Sequence, residues 1–90
     1  MVFHWPDPGR TEELAASMRE MRDALLAVPG CIGVEPPFLT EADGAECLVG
    51  ISKWESEEAF RSAGFELRAP DEIVQGETRP RQRFFLESMA

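Results

Sequence analysis

The chain has 90 residues, with nine Lys and Arg against seventeen Asp and Glu, a formal charge of −8 and a pI near 4.5. Nucleic acid and anionic membrane surfaces both select clustered basic side chains, so this balance argues against either as a partner. Two cysteines and one histidine are too few for a disulfide scaffold or a closed zinc site, and neither a metal nor a cofactor is expected. Ninety residues make one domain, 1–90, whose thin core buries only about 60–65% of the surface exposed by the unfolded chain. Pairing with a second copy is therefore a natural source of further burial. The absence of a basic-then-apolar leader and of a long apolar run leads us to expect a cytoplasmic protein with reduced thiols.

Met1 to Trp5 reads as a strand, with Met1, Phe3 and Trp5 on one face and Val2 and His4 on the other. Pro6-Asp7-Pro8-Gly9 ends it. Thr11 is expected to cap a helix whose first turn carries Glu12 and Glu13. Leu14, Met18, Met21, Leu25 and Val28 follow at spacings of four and three and form one apolar stripe, which Pro29-Gly30 stops. Cys31 to Leu39 alternates, with Ile32 and Val34 sharing a face, and Pro36-Pro37 forces a bulge or an edge. Glu41 to Ala45, with Asp43-Gly44, connects a hairpin to the strand Cys47 to Trp54. There Cys47, Val49, Ile51 and Lys53 alternate with Leu48, Gly50, Ser52 and Trp54. Ser56 caps a second helix, ahead of Glu57 and Glu58, and Gly64 ends it. Phe65 to Pro80 is irregular, with a helical turn conceivable only at Asp71 to Gln75, and Arg81 to Ser88 is the last strand. The order is βαββαβ, an α+β plan of the ferredoxin-like type with an antiparallel sheet and both helices on one face. Apolar residues on both sides of the central strand ask for cover on the other face as well.

The run Pro29-Gly30-Cys31-Ile32-Gly33-Val34-Glu35, followed by Cys47 to Phe60, is similar to the antibiotic biosynthesis monooxygenase (ABM) family. The shared features are a helix-ending Pro-Gly before a strand, then a strand ending in Trp followed by a polar N-cap, acids and Ala-Phe. The resemblance covers about residues 14 to 63. It implies a dimeric α+β barrel, a homodimer through the sheet face, with a ligand cleft between sheet and helices in each subunit. It also implies oxygenation without metal or flavin, in which the anion of a small aromatic or polycyclic, polyketide- or quinol-type substrate reacts with dioxygen. Quinone-forming members carry an Asn where this chain has Gly50 and a Tyr where it has Phe60. Haem-degrading relatives place an axial His on the second helix, and Ser56 to Gly64 contains none.

Three residues are candidates for the chemistry. His4 is a base for a phenol, or else a strand histidine with a backbone partner. Trp54 stacks on a planar ligand or covers the open end of the core. Arg83 stabilises an anion, or guards a strand edge together with Arg79 and Arg81. Candidate substrate contacts are Trp5, Gly50, Phe60, Phe65 and Arg81. Gly50 leaves room above the sheet, and Phe65 begins a segment able to close over a cleft. Whether His4 or Trp5 faces the cleft depends on a register the sequence leaves open. Cys31 and Cys47 read as small hydrophobes. The functions this supports are a cofactor-independent monooxygenase, a non-catalytic ligand-binding or structural homodimer, and an acid–base cyclase or isomerase.

Overall fold

The structure is a computed structural model and describes residues 1–64 and 71–89. Phe65 lies outside the described residues. The elements are β1 (Val2–His4), α1 (Thr11–Leu26), β2 (Cys31–Val34), β3 (Phe38–Ala42), β4 (Ala45–Gly50), β5 (Ser52–Trp54), α2 (Glu57–Ser62) and β6 (Gln82–Arg83). The antiparallel order β3-β4-β1-β6, extended by the pair β2-β5, is that of the ferredoxin-like α+β fold.

Each of the two long strands expected in the middle of the chain is split. Pro36 and Pro37 have no N–H to donate, so the ladder stops between β2 and β3. The partner strand breaks at the same level, at Ile51, whose carbonyl accepts from Glu35 N at 2.9 Å. A second irregularity falls between Cys31 and Gly33 and leaves Ile32 65% exposed. The bulge replaces the expected alternation, because Cys31 and Val34 pair with Trp54 and Ser52 and so share a face. The hairpin turn is tighter than expected. Ala42 pairs with Ala45 across Asp43 and Gly44, both at positive φ, as a two-residue turn requires.

Helix α1 begins at Thr11, with Arg10 rather than Thr11 at the cap. The Thr11 hydroxyl donates instead to the Glu46 carboxylate on β4, which ties the helix start to the sheet. Arg22 Nε donates to the Val34 carbonyl at 2.7 Å and pins the fourth turn. Val28 falls beyond the helix end. In α2 the Ser56 hydroxyl accepts from Ala59 N at 3.0 Å, the capping bond its position suggests. Asp71 to Gln75 is not helical. The chain after it docks on the extension of β1, where Asp7 N donates to Gly76 O and Thr78 N to Trp5 O, each at 2.8 Å. The expected strand Arg81–Ser88 shrinks to Gln82–Arg83, prolonged by two bonds, from Phe84 N to Met1 O at 2.8 Å and from the Met1 amino group to Phe84 O at 3.0 Å.

The register settles the two faces. Phe3 lies opposite Val49, which in turn lies opposite Phe38, while His4 lies opposite Leu48 and Val2 opposite both Gly50 and Arg83. Paired residues share a face, so Val2, His4, Gly50 and Arg83 look toward the helices. Phe3, Trp5, Cys47 and Val49 look away. Trp5 is completely buried there, with its indole N–H donating to Ala42 O at 3.1 Å and the Arg79 guanidinium 5.0 Å above its ring. Burial pushes the Cys47 thiol pKa up, as suits a packing residue. No helix among the described residues is long and apolar enough to cross a membrane.

Candidate functional site

A cleft of about 360 Å³ opens between the helix-facing side of the sheet and α1. The helix supplies Leu14, Met18, Met21 and Leu25, four of the five stripe residues. The sheet supplies Val2, His4, Gly50 and Ser52, and the C-terminal segment supplies Arg81 and Arg83. Phe60 of α2 also lines it. Gly50 makes room, since a Cβ there would stand 3.1 Å from Met18 Cε and 3.8 Å from His4 Nε2.

His4 is buried, and behind it stands Glu77, whose side chain is 1% exposed. Glu77 Oε1 lies 3.6 Å from His4 Nδ1. Glu77 Oε2 accepts two N–H bonds from Arg81, from Nε at 2.9 Å and from Nη2 at 2.7 Å. Burial raises the Glu77 pKa, but the facing His4 imidazole, the Arg81 hydrogen bonds and the charges of both outweigh it together, and the carboxyl sits below its ordinary value. The result is a carboxylate clamped between a guanidinium and an imidazole, with the far side of the imidazole toward the cleft.

Glu35 and Arg83 are further charged groups lining the cleft, and Glu35 is paired with Lys53 at 3.8 Å. Burial, and after it the neighbouring charge of Arg81, lower the Arg83 pKa. Its guanidinium lies 5.6 Å from the centre of the Phe60 ring. Among the described residues no carboxylate pairs with it, so its charge is available to an anion.

The structure therefore brings together His4, Gly50, Phe60, Arg81 and Arg83 from the expected set. Trp5 is set apart on the opposite face. Arg79, grouped with Arg81 and Arg83 by sequence, follows Trp5 there. Trp54 lies in a neighbouring open groove with Phe84 and Phe85, reached from the cleft past Val2, Ile51, Phe60 and Arg83, which line both. Its indole N–H donates to Ser52 Oγ at 2.9 Å, and its ring meets Phe60 edge-on at 5.4 Å. The two cysteines are free, with Cys47 on the far face and Cys31 paired beside Trp54. No group of three or more His, Cys, Asp or Glu side chains among the described residues is placed to hold a metal ion.

Glu77 is the residue that sequence reasoning misses. It stands in a stretch without periodicity, and its four-residue spacing to Arg81 signals a pair only on a helix. The family model described as antibiotic biosynthesis monooxygenase matches residues 1–63. No curated protein and no solved structure gives a significant match. The match takes in β1 through α2 and stops before Glu77, Arg81 and Arg83.

Proposed function

The chain belongs to the antibiotic biosynthesis monooxygenase family, and from that premise we propose that its cleft oxygenates a small aromatic or polycyclic, quinol-type substrate without a cofactor. The observation that carries this reading is the single histidine set in the wall of an apolar cleft, backed by a carboxylate and joined there by Arg83, which no carboxylate among the described residues pairs. The cleft volume lies within the range of about 300–1,000 Å³ usual for small-ligand sites. His4 takes the proton of a phenolic or activated C–H group, and Arg83 holds the resulting anion. The electron-rich anion then reduces dioxygen. One oxygen atom enters the ring and the other leaves as water, with the substrate supplying the electrons. Trp54 and Phe60 shape the side of the cleft next to the open groove.

The ninety residues act as one cytoplasmic domain, as a homodimer through the far sheet face. Supporting the dimer, Phe3, Val49 and Phe38 lie in one row there, and Phe84 packs on Phe3 with ring centres 5.6 Å apart. Phe38 and Phe84 remain 47% and 42% exposed in the single chain.

Oxygen uptake with a panel of hydroquinones and anthrones tests the activity. Turnover by the wild type that drops at least about a hundredfold in His4→Ala is the expected result. Full activity in that variant removes His4 from the scheme. A second reading, a non-catalytic ligand-binding dimer, is favoured by Gly50 and Phe60, which leave the cleft apolar where quinone-forming members are polar. Tight binding of the same aromatics with no oxygen uptake would establish it.

A further inference from the structure

Resting on His4 as the base, we propose that Glu77 is a positioning residue that holds the imidazole in its Nδ1–H tautomer, so that the neutral ring presents its basic Nε2 to the cleft. His4 Nδ1 and Glu77 Oε1 face each other at 3.6 Å, both are buried, and neither has another hydrogen-bond partner. The gap is too short for a bridging water. Glu77 Oε2 is already occupied by the two Arg81 N–H groups. These groups keep the carboxylate ionised, so it accepts and cannot donate.

Of the two neutral tautomers, only one satisfies this geometry. A lone pair on Nδ1 would set two acceptors against each other in a desolvated place, and unmet buried polar groups are destabilising. A hydrogen on Nδ1 answers both atoms, and a closure of a few tenths of an ångström completes the bond. The nitrogen left with the lone pair is Nε2, the one beside Gly50 on the cleft side. Arg81 has the complementary task of fixing Glu77. The chemistry thus depends on three side chains of which only His4 lies in the stretch that matches the family.

The chain contains one histidine, so imidazole ¹⁵N labelling gives a single pair of ring signals. For the neutral ring, the wild type is expected to show a pyrrole-type Nδ1 and a pyridine-type Nε2. Free histidine in water favours the opposite tautomer. In Glu77→Gln, Arg81 retains the amide oxygen and turns the NH₂ toward Nδ1, so the population moves to Nε2–H. The same variant loses about 10- to 100-fold in kcat with KM little changed. A wild-type ring protonated on Nε2, or a folded Glu77→Gln protein whose tautomer is unchanged, overturns the inference. If the variant does not fold, the wild-type spectrum decides alone. The expected tautomer in a protein that consumes no oxygen upholds the positioning role and removes the oxygenase reading instead.

Discussion

Replacing Gly30 with alanine tests how the helix–sheet junction is built. Gly30 follows α1 at φ 89°, and a Cβ on it would stand 2.9 Å from Ala59 Cβ on α2. Its carbonyl also accepts from Glu55 N at 2.9 Å, so the backbone there is tethered and cannot easily retreat. Holding an L-residue at this φ costs about 1–2 kcal/mol. Two rigid methyl carbons at 2.9 Å must move apart by most of an ångström, an overpacking cost of about 1–3 kcal/mol. Stiffening of the unfolded chain returns about 0.4–1 kcal/mol. The net loss is about 1–4 kcal/mol, a large part of what a small domain possesses. With a urea m value of about 1–1.5 kcal/mol/M, the midpoint falls by about 0.7–4 M. Ala59→Gly alone costs about 1 kcal/mol of helix propensity. In the double variant the contact is gone, so the pair should be more stable than additivity predicts by about 1–3 kcal/mol. A Gly30→Ala cost under about 0.5 kcal/mol, or a cycle additive within about 0.5 kcal/mol, refutes the close-approach argument.

Three further outcomes follow from the cleft and the far face. Because the Glu77 carboxyl is held below its ordinary value near 4.5, its stabilisation is complete above that value and is lost as pH falls through the lower folded-state value. Urea midpoints of the wild type should therefore drop through that acid window. Glu77→Gln should flatten this component, and an unchanged slope would contradict the buried ion contact. Gly50→Ala should leave the thermal midpoint within a few degrees, since the close neighbour is the flexible tip of Met18. It should nonetheless weaken aromatic ligands by about 1–3 kcal/mol in a calorimetric titration, and undiminished affinity would move the ligand away from Gly50. Phe84→Asp should weaken self-association at least about 30-fold in sedimentation velocity, as loss of an interface anchor does. Equal association of the variant would take the interface off this face.

The strand and helix order was legible because local patterns and tertiary demands agree over most of the chain. The stripe Leu14, Met18, Met21 and Leu25 faces the sheet, and Ser56 caps α2. Pro36 and Pro37 mark a ladder break in the sequence itself, but a single chain position does not reveal that the partner strand breaks opposite them at Ile51. Thr11 has the chemistry of a cap, yet a carboxylate on another strand, Glu46, claims its hydroxyl. Local propensity cannot see such a competitor. The choice between His4 and Trp5 hinged on register, which pairing with β4 decides. Trp54 is a candidate for the pocket by its place at the end of an inner strand and its match to the family pattern. The split between β4 and β5 sets it in the adjoining groove instead. Glu77 was invisible because its role depends wholly on where a patternless segment docks.

That docking has a consequence for how the molecule matures. The imidazole comes from the fourth residue and its orienting carboxylate from the seventy-seventh, so the two meet only when opposite ends of the polypeptide zip together along β1. Such a long-range closure carries a loop-entropy cost that local helix formation does not. A nascent or truncated chain that has already stacked its helices on a partial sheet still has an untethered imidazole. The proposed hold on the imidazole is therefore made only where the segment carrying Glu77 has docked beside β1.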